Sequence, residues 1–492
     1  MKHQTYIYAG FLAGCAAWMA GCAVGPDFKR PAAPPSGSYA APAMDTDAVA
    51  TNLAGAGPQE FVTAKDIPGQ WWQLFHSQAL NDLIQRALTN NPDFKAAQQS
   101  LVVARENLRA QRGAYYPQVS ASFAGSRQRQ SDLISPTPNA DIFEYNLFTP
   151  QVAVSYVPDV FGLNRRTVEA SKAQEQNVRF QMTATYLTLT ANVVVAAIQE
   201  ASLRAQIDTT RQLIGVSSNM LDIVHYQYAK GYASGVDLAA QEAQLAQMNA
   251  AMPPLLKQLA QQHDLLAVLA GDYPGQHPED DFDLSKLALP EELPVSLPSK
   301  LVEQRPDILQ AEANLHAASA QVGVAIANRL PNITLSASTG STALSLDKLF
   351  QSGSGFWVVG GTLTQPIFEG GALLHQQRSA QAAFQQSAQQ YRSAVLTACQ
   401  NVADTLSALQ QDAAALRTSA EADAAEKRSL DLAQQQWRVG YGGYLAMLNA
   451  EQTYQQAQIN LVQAQANRFA DTAALFQALG GGWWNQPGLK EK

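Results

Sequence analysis

Two short stretches near the N-terminus carry the residues with the clearest covalent chemistry. Leu12-Ala13-Gly14-Cys15 and Met19-Ala20-Gly21-Cys22 each set a thiol behind small residues, within or just after an apolar run from Tyr6 to Met19 that follows Lys2. This is the plan of a secretory leader that ends at a cysteine carrying lipid on its sulfur. Cleavage before Cys15 would leave Trp18 and Met19 in the mature arm and a very short leader. Cys22 is therefore the expected attachment point, with residues 1–21 as the signal peptide. Ala23, rather than Asp, follows it, as in lipoproteins sorted to an outer membrane. The remaining thiol, Cys399, has no internal partner, so no disulfide framework forms.

Other reactive constellations are missing. His76, His225, His263, His277, His316 and His375 are scattered without metal-ligand spacing. Gly353-Ser354-Gly355-Phe356-Trp357-Val358-Val359-Gly360-Gly361 is glycine-rich but does not lead from a strand into a phosphate-binding helix. No catalytic residue, no metal and no cofactor beyond the covalent lipid is expected. Net charge is −8 and only 15% of residues are charged, without basic runs, which excludes a nucleic-acid surface. Hydrophobic residues reach 46%, yet mean hydropathy is −0.17, because Ala and Gln are abundant. That mixture suits long, closely packed helices.

The elements that surround these features repeat. "NPDFKAAQQSLVVARENLRAQRGAYYPQVSAS" from Asn91 has a counterpart in "RPDILQAEANLHAASAQVGVAIANRLPNITLS" from Arg305, and Pro92 to Pro117 spans 25 residues, as does Pro306 to Pro331. "KGYASGVDLAAQEAQL" from Lys230 matches "VGYGGYLAMLNAEQTY" from Val439, aligning Gly231 with Gly440, Tyr232 with Tyr441 and Glu242 with Glu451. The repeat length is about 210 residues, so the chain carries two copies of one large unit. We divide it into an extended arm at 22–60, a first repeat at 61–271, a linker at 272–300, a second repeat at 301–480 and a tail at 481–492.

Each repeat reads helix, strand, loop, strand, long helix, tight turn, helix. Val119, Ala121 and Phe123 alternate with Gln118, Ser120 and Ser122, and Ile333, Leu335 and Ala337 alternate with Asn332, Thr334 and Ser336. Val152, Val154 and Tyr156 repeat the pattern, and Phe356 to Gln365 gives a weaker, Gly-interrupted version. This is the period of a strand with one apolar face. Leu163 to Tyr228 has no Pro and carries two seven-residue registers. One is Met182, Leu189, Ala196, Leu203 and Val224; the other is Tyr186, Val193, Ile207, Ile214, Leu221 and Tyr228. Glu200, Thr210 and Ser217 are the polar exceptions in this coiled-coil-like seam. A helix of that length reaches about 100 Å. A second such run extends from Ala372 to Arg438.

Four strands of about ten residues match the length needed to cross a bilayer at a tilt, and also that of strands in a soluble sandwich. Four strands do not close a transmembrane barrel, and an open edge in lipid leaves backbone groups unpaired at several kcal/mol each. If these strands lie in a membrane, several chains must share one barrel.

"LPSKLVEQRPDILQAEANLHAASAQVGVAIANRLPNITLSAS", "GQWWQLFHSQALNDLIQRALTNNPD", "GCAVGPDFKRP" and the closing "ALGGGWW" together resemble the lipoprotein branch of the TolC-type outer membrane factors, the OprM and NodT-like proteins. The resemblance covers nearly the whole chain from Cys22. It implies an α/β membrane protein that assembles as a homotrimer. A twelve-stranded β-barrel in the outer membrane of a Gram-negative bacterium would continue into a twelve-helix periplasmic α-barrel, with an equatorial domain around it. It also implies the exit duct of a tripartite efflux pump for drugs or other small molecules, working with a periplasmic adaptor and an inner-membrane transporter of the RND type.

A duct needs a closable end. The turns at Lys230–Val236 and Val439–Leu445 lie a long helix away from the strands, and Gly231, Gly235, Gly440, Gly442 and Gly443 give them freedom to pivot or simply to cap helices. Adaptor contact at these tips is also expected. In the family that the chain resembles, a Leu and an Asp after the second turn ring the aperture. These fall on Leu445 and on Asn449, where a neutral amide replaces the carboxylate. Arg438 matches the family arginine that holds the tip shut. Asp237 is its candidate partner or a second acidic ring, as well as a carboxylate suited to a helix N-terminus. The alternative architecture is a lipid-anchored periplasmic coiled-coil scaffold or adaptor without a pore, which shares the helices but not the strands.

Overall fold

The computed structural model describes residues 23–33, 53–63, 65–129, 144–275, 282–296 and 298–489. Cys22 and the expected signal peptide lie outside them. Strand β1 (Glu60–Thr63) is followed by helices α1 (Gln78–Asn90) and α2 (Pro92–Arg112), strands β2 (Gln118–Arg129) and β3 (Glu144–Tyr156), and helices α3 (Leu163–Ala229) and α4 (Gly235–Ala270). Next come β4 (Glu292–Val295), α5 (Pro298–Gln304), α6 (Pro306–Ala327), β5 (Asn332–Ser341), β6 (Gly355–Thr364), α7 (Ala372–Arg438) and α8 (Tyr444–Ala478). The order α2-β2-β3-α3-α4 recurs as α6-β5-β6-α7-α8. Helices α3 and α7 both have 67 residues, and α4 and α8 have 36 and 35. The expected pair of repeats is therefore present element by element.

The repeated Pro-Asp motifs start helices. Pro92 and Pro306 are the first residues of α2 and α6, where a missing N–H leaves nothing unpaired. Before Pro92, the Asn91 side chain accepts from the Phe94 N–H at 3.0 Å and donates to the Leu269 carbonyl at 3.1 Å. Before Pro306, Arg305 pairs with Asp307 at 2.6 Å and donates to the Ala478 carbonyl at 2.8 Å, tying α6 to the end of α8.

The chain forms two compact units, and each draws on both repeats. The first, from residues up to 30, 102–178 and 311–391, contains an antiparallel sheet of order β2-β3-β5-β6. Its register aligns Val119, Val154, Ala337 and Val359 in one row, and Ala121, Val152, Thr339 and Trp357 in another. The alternate rows are Ser120, Ala153, Ser338, Val358 and Gln118, Ser155, Ser336, Gly360. Directly opposed residues share a face, so the alternations of four separate strands combine into one largely apolar face and one richer in Ser, Thr and Gln. The apolar side is open: Val119, Phe123, Trp357, Val359 and Leu363 are all exposed.

The second unit, from residues 31–101, 179–310 and 392–492, pairs β1 with β4 in parallel and buries an aromatic core. Trp71 stacks on Phe476 with ring centroids 5.3 Å apart and meets Trp72 and Phe75 edge-on. The Trp483 indole donates to the Gln304 carbonyl at 2.6 Å, and the Trp484 indole to Asp66 at 3.0 Å. Along α3 the buried line in this unit includes Leu189, Val193, Ala196, Leu203, Ile207 and Val224. The polar exceptions Glu200, Thr210 and Ser217 are buried on that line too, Glu200 paired with Arg204 at 2.7 Å. Tyr228, at the end of the register, is exposed. Helix α3 is long and apolar enough to cross a membrane, but 61% of its apolar window is buried inside the protein, as in a core helix.

Candidate functional site

Three places bear on function: the seat of the arm, the sheet, and the helix turns. The arm residues that follow Cys22 are held at the junction between β3 and α3. The Val24 N–H donates to the Phe161 carbonyl at 3.1 Å. Arg166, in the first turn of α3, has a buried side chain that donates to the Val24 carbonyl at 3.1 Å and pairs with Asp27 at 2.7 Å and Glu169 at 2.8 Å. Phe28 stacks on His316 at 4.3 Å, His316 Nε2 lies 2.9 Å from Glu169, and Arg30 pairs with Glu312 at 3.0 Å. Gly25 and Gly323 touch so closely that a Cβ on Gly25 would lie 2.4 Å from the Gly323 Cα.

In the sheet, β2 and β6 are the outer strands, and neither has a partner on its outer edge among the described residues. A sheet with one apolar face and two open edges is unsuited to standing alone in water or in lipid.

At the first turn, Gly231 takes φ +80 beyond the end of α3, and the Tyr232 N–H donates to the Gln227 carbonyl at 2.8 Å. Gly440 takes φ +78 at the equivalent point beyond α7, and the Tyr441 N–H donates to the Gln436 carbonyl at 2.9 Å. Both glycines occupy the left-handed position that closes a helix. Gly235 is instead the first residue of α4, Gly442 stays in the turn and Gly443 is the N-cap of α8. Ser234 and Asp237 form a reciprocal cap. The Asp237 N–H donates to Ser234 Oγ at 3.1 Å, and the Ser234 N–H donates to Asp237 Oδ2 at 3.0 Å. Gly443 makes no side-chain cap, so the second hairpin is tied less firmly at its turn than the first.

Leu445 and Asn449 are exposed and four residues apart on α8, hence on one face. Tyr444, Met447 and Leu448 turn the other way and pack with Met220 and Val224 of α3. Arg438 is the exposed last residue of α7 and has no ion-pair partner among the described residues. Among the described residues the four gate candidates thus divide: Leu445 and Asn449 share a face, Asp237 is engaged as a cap, and Arg438 has no ion-pair partner.

Sequence reasoning missed the groups beneath the turns. Tyr444 Oη donates to Gln241 Oε1, and Gln241 Nε2 donates to the Ser217 carbonyl at 3.0 Å and to Ser217 Oγ at 2.8 Å. Glu451 is 2% exposed, one of its oxygens has no partner among the described residues, and burial raises its pKa against a hydrogen bond from Ser217. Burial likewise raises the Tyr444 hydroxyl. Glu242, aligned with Glu451 in the repeat, is exposed and lies 3.7 Å from His225. The one signal was Ser217, a polar residue on an apolar seam. No group of three His, Cys, Asp or Glu among the described residues is placed to hold a metal ion.

A two-repeat chain of long helices bearing a half-apolar, open-edged sheet has the build of an outer-membrane channel, not of an enzyme. The chain belongs to the outer membrane efflux protein family, whose model matches residues 83–272 and again 297–481, once in each repeat. It is 29% identical over 481 residues to the probable efflux pump outer membrane protein TtgC of Pseudomonas putida, covering 96% of this chain and 94% of that one. It is 28% identical over 477 residues to the outer membrane protein OprJ of Pseudomonas aeruginosa, covering 94% and 93%. The structure of the outer-membrane channel OprN matches with a TM-score of 0.84 at 24% identity, covering 94% of this chain and all of that one. The chain is therefore an outer-membrane exit duct for efflux, and the scaffold without a pore is set aside.

Proposed function

We propose that three copies of the chain close one barrel of twelve strands, four from each, above a ring of twelve helices gated at the helix turns. The observation that carries this is the sheet: one face apolar in register across four strands, with edges at β2 and β6 that another copy would fill. Acyl chains on Cys22 would tether the arm whose next residues sit at the β3–α3 junction. An extended acyl chain adds about 0.8 kcal/mol per buried CH₂, which supplements the barrel without replacing it. The equatorial domain is assigned to the β1–β4 pair and the tryptophan core.

Leu445 and Asn449, exposed on one face of α8, form the constriction in this reading, and Arg438 with Asp237 links neighbouring tips in the closed form. Three neutral amides at Asn449 draw cations less than three carboxylates would. A periplasmic adaptor engages the tips at Gly231, Gly235, Gly440, Gly442 and Gly443, favours the open population, and connects the duct to an inner-membrane transporter of the RND type. The test is planar-bilayer conductance of purified protein beside an Arg438→Ser variant, with native mass spectrometry for copy number. The expected result is a three-chain particle with a small current that rises severalfold in the variant. A single-chain particle, or a variant no more conductive than the parent, would overturn the proposal.

A further inference from the structure

Beneath the second turn, two helices from different repeats meet through buried polar groups. Gln241 and Ser217 are both 0% exposed and Glu451 is 2% exposed. Gln241 ties α4 to Ser217 of α3 and to Tyr444 of α8, and a second glutamine pair, Gln452 Nε2 to Gln244 Oε1 at 2.7 Å, lies further along α4 and α8. Glu451 is the carboxyl group set into this contact among the described residues.

Its surroundings suit a neutral acid. Ser217 offers Glu451 a single hydroxyl, and the other carboxyl oxygen is buried without a partner among the described residues. In the turns of α8 just before Glu451, Tyr444, Met447 and Leu448 pack in an apolar cluster with Met220 and Val224 of α3, Leu238 and Ala240 of α4 and Trp437 of α7. Burial and the Ser217 hydroxyl are the influences on Glu451 itself; Tyr444 on the same helix is the titratable group that feels its charge, and on the α7 side Glu426 accepts from Thr453 while Asp423 and Asp431 act on Tyr454, all acidic. His225 and Glu242 face solvent, each 54% exposed. An unpaired carboxylate in such a place is far less favourable than the neutral acid, so ionisation must draw water in or push the helix out.

We propose that Glu451 is a proton-operated latch on the second hairpin. Protonated, it stays buried against Ser217 and holds α8 to α3 and α4; losing its proton to solvent, it hydrates and releases α8, which favours the open aperture. The first repeat has no such latch, because its aligned Glu242 is already in water.

This rests on the reading of the helix turns as the gate, and the experiment separates the two. Purified protein, the isosteric Glu451→Gln variant and Arg438→Ser are recorded in planar bilayers from about pH 5 to about pH 8. The expected result is a parent open probability that rises by about tenfold or more across that range, bounded by tenfold per pH unit for each proton released, while Glu451→Gln stays low throughout. Hydrogen exchange over Tyr444–Gln452, corrected for intrinsic rates, follows the latch without any need for current. Its protection should fall with pH in the parent and stay constant in Glu451→Gln. If Arg438→Ser conducts but Glu451→Gln and the parent share one pH profile and one exchange profile, the latch is refuted and the gate stands. If no protein conducts at any pH, the gate reading fails, and the exchange comparison alone decides whether Glu451 loosens the helix.

Discussion

Val358 and Val359 are adjacent, chemically identical and both exposed in the single chain, at 58% and 70%. The sheet register gives them opposite surroundings. Val359 shares its row with Val119, Val154 and Ala337, while Val358 shares a row with Ser120, Ala153 and Ser338. Val359 is the fifth of ten residues in β6, near the middle of the strand. If the apolar face meets lipid, an arginine at 359 sits near the bilayer midplane and costs about 2–4 kcal/mol per copy. That is roughly a 30- to 900-fold loss in the folded-to-unfolded ratio. An arginine at 358 faces the lumen and should cost about 1 kcal/mol or less while moving ion selectivity toward anions. The assay is urea unfolding of each variant in lipid vesicles, with reversal potential measured in planar bilayers. Equal destabilisation at both positions, or a larger loss at 358, would refute the face assignment and with it the barrel.

Two further outcomes follow from the packing. Asp412 of α7 has its pKa pushed up to about 7, first by burial and then by the Asp471 carboxyl beside it, against the attraction of Arg468. Because the folded value lies above the ordinary 3.8, the native state holds the proton more tightly, and this contribution to stability is full below about pH 4 and fades as pH rises to about 7. Thermal unfolding should therefore show Asp412→Asn losing part of the parent's decline between about pH 5 and 8; an unchanged slope would exclude the assignment. In the arm, Gly25→Ala forces a Cβ to 2.4 Å from the Gly323 Cα at φ +97, so Val24 to Arg30 should leave their seat. Limited proteolysis should cut this segment about 5- to 150-fold faster in the variant, as expected if docking is weakened by about 1–3 kcal/mol, with the rest of the chain intact.

Periodicity made much of this fold legible. Alternation at Val119, Ala121 and Phe123 located β2, and long Pro-free runs with a seven-residue pattern located α3 and α7, because burial of one face writes itself directly into residue spacing. The order β2-β3-β5-β6 was not legible, since alternation tells a face and not a neighbour. Nor was the β1–β4 pair, in which a four-residue strand at the start of the first repeat and another in the linker find each other across more than 200 positions. "ALGGGWW" was readable only as a resemblance; its physical reason is that Gly480, Gly481 and Gly482 all take positive φ, at +95, +60 and +66, to deliver Trp483 to the Gln304 carbonyl. At the site, Leu445 and Asn449 were found only through the family resemblance. The Ser217, Gln241 and Glu451 cluster stayed hidden because its members lie on three helices, each with its own register.

The matched 67-residue helices carry a consequence for symmetry. A half-length ancestor bearing one repeat would need twice as many subunits to complete the same ring, and every hairpin in it would be equivalent. Joining two repeats in one polypeptide lets alternate hairpins diverge. The first keeps a serine–aspartate clasp at its bend and the second a bare glycine, so the proposed ring would alternate fixed staves with movable ones.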